Sequence, residues 1–348
     1  MENKDEERKM SNNRARFAIG YFFICLFSAI ATVLIILSIL IFRFDNLVLN
    51  KEYAKAAGIL MRYERIPFCR NKVDLIQKKM KPNRVIEVGD RLYILNRDGE
   101  IEVYEGITKI ATITDCNSIA LRGIEGGFVG YSIEKNHTIR VFGETEEDIE
   151  KVIESLNNVR FIDGSYSRIV ACDSQSVCDY DSHSSVFERQ LAKQQDVADA
   201  VCCNQFSAVL KYDGTLEYYD HEQFSDLKRT RDWKGIVSID CSSDGTLAAL
   251  KSDGTVVTAG RTIYSGNVSE WRNVIGISVA STYDKRGICI EYIMAVTSDG
   301  NVMVAGDIPD AIKDKISEWQ NIVSVYAGSE VAVGFAENGV VKLLWFNK

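Results

Sequence analysis

An Asp-Gly pair, once Asn-Gly, recurs at one position of a repeated apolar segment, and this recurrence narrows the available folds more than any other feature of the chain. The copies are LKYDGTLEYYD at 210–220, LKSDGTVVTAG at 250–260, VTSDGNVMVAG at 296–306 and FAENGVVKLLW at 335–345. Asp213-Gly214, Asp253-Gly254, Asp299-Gly300 and Asn338-Gly339 supply the positive φ of a two-residue type I′ hairpin turn, between flanks that read as packed strands. A second motif, WKGIVSI at 233–239, WRNVIGI at 271–277 and WQNIVSV at 319–325, opens an apolar strand about twenty to thirty residues before three of these hairpins. Weaker copies occur at 94–106 (ILNRDGEIEVYEG), 131–144 (YSIEKNHTIRVFGE) and 169–181 (IVACDSQSVCDYD). Turns are thus expected near 98, 136, 174, 213, 253, 299 and 338, which makes seven units of about forty residues with one interval of 46.

Seven β units with no helix between them imply an all-β domain closed radially as a seven-bladed propeller, because an open array leaves exposed edges. A β-solenoid is the alternative. The tryptophans at one template position are expected to pack between adjacent units rather than stack a ligand.

The combined pattern W-x-N-[IV]-V-x-[IV], then LKSDGTVVTAG, then VSEW resembles the regulator-of-chromosome-condensation repeat, in the short form of about forty residues found in bacteria. The likeness is strong over 233–334, fair over 194–232 and weak over 84–193. GRTIYSGNVSEW at 260–271 is similar to the family's G-x-N-x-x-G-Q loop, keeping Gly266 but displacing the usual Asn and Gln. The resemblance implies a seven-bladed propeller that works through protein contact. Family members include exchange factors for small GTPases and a β-lactamase inhibitor; neither activity carries over, because the exchange factors' partner is cytoplasmic whereas this domain is expected outside, and no motif here matches the inhibitor's aromatic contact residues.

Ahead of the repeats, residues 17–42 form 26 consecutive residues without a charge. As a helix they span roughly 39 Å, more than the ~30 Å hydrocarbon core. The run ends in Arg43-Phe44-Asp45 without a small-residue cleavage pattern, so an uncleaved transmembrane helix through the lipid bilayer is expected. Five Lys/Arg precede it and three follow by residue 60, which places the N-terminus in the cytoplasm and the C-terminal domain outside the cell membrane. The expected organisation is a cytoplasmic tail at 1–16, the transmembrane helix at 17–42, a juxtamembrane linker or helix at 43–82 and the propeller at 83–348. Removing the tail's five basic and four acidic residues from totals of 41 and 49 leaves 36 against 45, a balance of −9 that disfavours nucleic acid as a partner.

A search for chemistry finds no G-x-S-x-G elbow, P-loop, dinucleotide-binding fingerprint or H-E-x-x-H, and only three histidines. The Asp-Gly pairs lie in separate units and do not converge as calcium ligands. Cys172 and Cys178 fall on the two strands of one expected hairpin near Asp179, Asp181 and His183. Packing thiols, a local disulfide and a metal site all remain open for them, although Cys-x₅-Cys lies outside zinc spacing. No cofactor, metal or catalytic residue is assigned. The insertion before Asp299 supplies the candidate partner-binding residues Tyr283, Asp284, Lys285 and Arg286, because insertions in repeat proteins emerge as loops on one face. HEQFSDLKRTRDW at 221–233 is a second charged inter-strand loop. The reading is a membrane-anchored binding scaffold, not an enzyme, with a protein or envelope-ligand partner. The alternatives are an envelope enzyme acting on glycans and a ligand sensor signalling through its helix. The sixteen residues before the helix are too few for a folded output domain, so such a sensor would need a partner helix.

Overall fold

The computed structural model describes residues 2–50, 52–61, 63, 66–80, 85–88, 91–95, 100–114, 116–124, 127–134, 138–142, 156, 159, 161–165, 168–172, 177–181, 197–220, 225–261, 268–283 and 286–346. The chain divides into two compact units, 1–46 and 47–348. The first is built on helix α1 (Glu2–Leu49), whose stretch Tyr21–Leu49 is long and apolar enough to cross a membrane.

In the second unit the described residues form seven small antiparallel sheets, each of strands consecutive in sequence. The first holds β1 (Val85–Val88), β2 (Arg91–Leu95), β3 (Ile101–Glu105) and β4 (Thr108–Ile113). The second holds β5 (Cys116–Ile124), β6 (Gly127–Glu134) and β7 (Ile139–Phe142), and the third β8 (Phe161–Gly164), β9 (Arg168–Cys172) and β10 (Val177–Asp181). The fourth holds β11 (Val197–Cys202), β12 (Phe206–Lys211) and β13 (Leu216–Asp220), and the fifth β14 (Ile236–Cys241), β15 (Thr246–Lys251) and β16 (Val256–Gly260). The sixth holds β17 (Val274–Tyr283), β18 (Cys289–Thr297) and β19 (Val302–Gly306), and the seventh β20 (Ile322–Ala327), β21 (Val331–Ala336) and β22 (Val341–Trp345). Each expected turn position lies between two partner strands, although 96–99, 135–137 and 173–176 fall outside the described residues.

The turns differ from the expected type I′. At 211–215 the Lys211 amide donates to the Thr215 carbonyl and the Gly214 amide to the Lys211 carbonyl, a three-residue loop in which only the glycine has positive φ. The same pair of bonds recurs at 251–255, 297–301 and 336–340. The preceding Asp has another task. Asp213 Oδ1 accepts from the Thr215 amide at 2.9 Å, as Asp253 Oδ1 does from Thr255 at 3.0 Å.

The tryptophan motif has an equally local cause. Its third residue, Gly235, Asn273 or Asn321, takes positive φ (67°, 58° and 57°), a conformation that Gly and Asn adopt readily. The next amide then donates to the turn glycine of the preceding sheet: Ile236 to Gly214, Val274 to Gly254 and Ile322 to Gly300. One repeat's exit turn therefore seats the next repeat's first strand. Along the first strands, side chains accept from the following sheet: Asp163 from the Cys202 amide, Asp240 from Val279 and Ser278 from Ala327, all at 2.9–3.0 Å.

Apolar clusters lie between neighbouring sheets. Leu95, Ile101 and Val103 meet Ile119, Ala120 and Tyr131 meet Ile162 and Ile169, and Val170 meets Val197 and Val209. Trp319 is buried in a cluster shared by the sixth and seventh sheets with Met294, Val302 and Ile322. The last sheet and the first share a cluster as well. Val331, Val333, Phe335 and Trp345 pack with Val85, Leu92 and Ile94.

The second unit also contains helices. Within the stretch read as a juxtamembrane linker or helix, α2 (Tyr53–Met61) and α3 (Pro67–Met80) pack on β14 and β17. Ala56, Ala57, Leu60, Cys69 and Val73 are fully buried, and the Arg70 guanidinium sits 4.7 Å over the Tyr212 ring. The connections between sheets carry helical structure, with α4 (Asp310–Ser317) before β20 and a 3-10 helix at Ser225–Asp232. The described part of that second charged loop, 225–233, buries Leu227 fully.

Candidate functional site

The insertion before Asp299 lengthens a hairpin. β17 and β18 pair from Val274↔Thr297 out to Tyr283↔Cys289, whereas β19 pairs β18 only as far as Tyr292. Residues 281–283 and 289–291 therefore extend past the third strand of their sheet.

A two-stranded extension is marginal by itself. Here it is fastened to the turn between β14 and β15. The hydroxyls of Ser242 and Thr246 donate to the two oxygens of Glu291 at 2.8 and 2.7 Å. Ser243 and Ser281 hydroxyls meet at 2.9 Å, and the Tyr283 hydroxyl donates to Asp244 at 2.6 Å. Asp244 and Ser281 are buried and Tyr283 is not: with its hydroxyl held, its ring remains 60% exposed. Arg286 and Ile288 are exposed as well. Asp284 and Lys285 lie outside the described residues.

The electrostatics of the anchor follow from burial. Desolvation raises the Glu291 carboxyl above the usual 4.5, outweighing the hydrogen bonds from Thr246 and Ser242. The hydrogen bond to Asp244, then burial, pushes the Tyr283 phenol up to about 12, and burial followed by the Asp244 charge does the same for the Cys289 thiol. A raised carboxyl favours the protonated form in the folded state. Its contribution to stability is therefore greatest in acid and declines as pH rises from 4.5 through the folded value. Glu291→Gln should accordingly gain stability relative to the natural protein as pH rises above 4.5, measured as urea midpoints from acid to neutral. A pH-independent difference between the two proteins would refute this account of the anchor.

The cavity beside Glu291 holds only about 10 Å³, no more than one water. A larger groove of about 410 Å³ runs between β3, β4 and β22, where Glu102 accepts from Tyr104 and Lys109, each at 2.7 Å. Among the described residues no group of three or more His, Cys, Asp or Glu side chains is placed to hold a metal.

Cys172 is buried in the cluster between the third and fourth sheets. The β9–β10 ladder pairs Cys172 with Val177 and Cys178 with Ala171. The sequence reading of the insertion missed Asp244, Ser281 and Glu291. CSSDGT at 241–246 carries an Asp-Gly pair with Gly245 at φ +99°, a signal for an ordered turn lying outside the seven-turn register.

No protein-family model matches the chain, and no curated protein matches it. Among solved structures, it is similar to Prp20p from Saccharomyces cerevisiae at 13% identity and TM-score 0.46, over 66% of this chain and 71% of that one. It is similar to the ectodomain of the Physcomitrella patens receptor kinase CR4 at 14% identity and TM-score 0.45, over 67% and 64%. BBS1N, solved in complex with ARL6DN, aligns at 11% identity and TM-score 0.47, over 75% and 90%.

Proposed function

We propose that this protein is a membrane-anchored binding scaffold, in which a seven-bladed propeller presents the β17–β18 hairpin to a protein partner outside the cytoplasm. The observation that carries the reading is the hairpin. It projects from its sheet, is fixed by four side-chain hydrogen bonds to the neighbouring turn, and exposes an aromatic ring, an arginine and an isoleucine at its end. Aromatic and arginine side chains dominate protein interfaces, and a tyrosine whose hydroxyl is already held loses little entropy on docking. Closure of the seven sheets is supported by the apolar cluster between the last and the first, and by Glu87. Its carboxylate accepts from the Ser329 amide at 2.7 Å, the Ser329 hydroxyl at 3.1 Å and the Glu330 amide at 2.9 Å. The anchor is α1, oriented by its basic N-terminal flank.

Two measurements test this. A photo-crosslinking residue at Ile288 should give one discrete protein adduct in intact cells that Arg286→Glu abolishes, whereas one at Val340, also exposed, should not. Equal labelling from both positions would sink the hairpin as the contact site. Impermeant thiol reagents and protease applied to intact and permeabilised cells test the topology separately. Protection of the domain until permeabilisation would invert it.

A further inference from the structure

The turn after β11 and the turn after β14 lie against each other. The Asn204 amide donates to the Ser243 carbonyl at 3.3 Å, and Gln205 reaches to Gly245, its Oε1 standing 3.1 Å from where a β-carbon there would sit. Cys203 opens the first of these turns. It is fully buried, its amide donates to the Phe206 carbonyl, and its sulfur accepts from the Gln205 and Phe206 amides at 3.4 Å. Cys241 closes β14, half-buried, and Cys203 is the neighbour that acts most strongly on its thiol. Both are free thiols here, in adjacent sheets whose turns meet one residue past Cys203 and two past Cys241.

We propose that Cys203 and Cys241 form a disulfide, a covalent link between the fourth and fifth sheets made by exchange with an external disulfide of the glutathione class. The less buried Cys241, as thiolate, attacks one sulfur of the external disulfide, breaking its S–S bond and releasing one external thiolate. Cys203, as thiolate, then attacks the Cys241 sulfur, and the second external thiolate leaves. Two electrons pass from the cysteine pair to the external disulfide, and the two cysteine protons end on the released thiols. Hydrogen bonding to Cys203, burial and the nearby Asp163 and Asp240 carboxylates all hold Cys241 in its thiol form. Exchange on the folded chain is therefore slow, and the bond closes while the two sheets dock.

The linkage does not depend on which side of the membrane the domain occupies, and the test separates the two questions. The full-length chain in detergent is refolded with oxidised and reduced glutathione, denatured, alkylated without reductant and digested. The expected product is a Cys203–Cys241 peptide, lighter by two hydrogens, that Cys203→Ser removes and Cys202→Ser does not. Reduction should then lower Tm by about 5–10 °C in the natural protein, and leave Cys203→Ser unchanged. Complete alkylation of both thiols after refolding with glutathione, or a link through Cys202, overturns the proposal. This readout on the natural chain stands even if a variant does not fold. A link that forms in vitro but not in cells supports the pair and counts against an oxidising, extracytoplasmic location.

Discussion

Gly300→Ala is expected to destabilise the domain by about 2–5 kcal/mol, and the same change at Gly339 by only about 1–2 kcal/mol. The two glycines occupy equivalent hairpin turns with nearly equal torsions, φ +82° and +84°. Each would impose the same left-handed penalty on alanine, roughly 1–2 kcal/mol. Their surroundings differ. A β-carbon on Gly300 would sit 3.0 Å from Asn321 Cα and 3.2 Å from its nitrogen, backbone atoms that cannot rotate aside. Asn321 is itself fixed at φ +57°, and the adjacent Ile322 amide donates to the Gly300 carbonyl at 3.0 Å. A methyl group there must push apart the sixth and seventh sheets. Gly339 has nothing within 4 Å of the same position. Urea denaturation of the two variants gives the comparison. Equal losses would mean that the turn's torsion alone matters and that the seat between repeats contributes nothing.

That comparison bears on what the sequence could disclose. The hairpins were legible because Asp-Gly and Asn-Gly encode a backbone requirement locally, and the strands because apolar residues flank every turn. The W-x-N motif was visible as a repeat, but its reason was not. Asn273 and Asn321 are chosen for positive φ opposite a glycine from the previous unit, about twenty residues earlier. The turn type was misread for a related reason. Thr215 and Thr255 follow the glycines and bond back to the Asp, and this local bonding accompanies a three-residue loop. Tertiary contacts were less accessible. Tyr53–Met61 is short and rich in alanine, and only its fit against β14 and β17 distinguishes it from a spacer. The candidate site was half legible. Its exposed end announces itself as an insertion, but Glu291 and Asp244 gain their roles from Ser242, Thr246 and Tyr283, residues 39 to 49 positions away in the chain.

Trp345→Ala should cost about 3–5 kcal/mol and should do so by acting on the first sheet as well as the last. Trp345 is 8% exposed, in the cluster that joins Val331, Val333 and Phe335 to Val85, Leu92 and Ile94. In an open array the terminal sheets would fray independently, because each repeat would be supported by neighbours on one side only. In a closed ring the seam is a shared core, and residues on its two sides must be coupled. Leu92→Ala and Trp345→Ala combined should therefore depart from additivity by about 0.5–3 kcal/mol. Glu87→Ala offers a second view of the same seam. It removes the carboxylate that accepts from the Ser329 and Glu330 amides, so hydrogen exchange at those two amides should accelerate although the substitution lies 242 residues away in sequence. Additive losses with unchanged exchange at 329 and 330 would mean that the two ends move independently in solution. Coupled losses would show that strands about 250 residues apart fold as one unit, as a closed ring requires and an open array forbids.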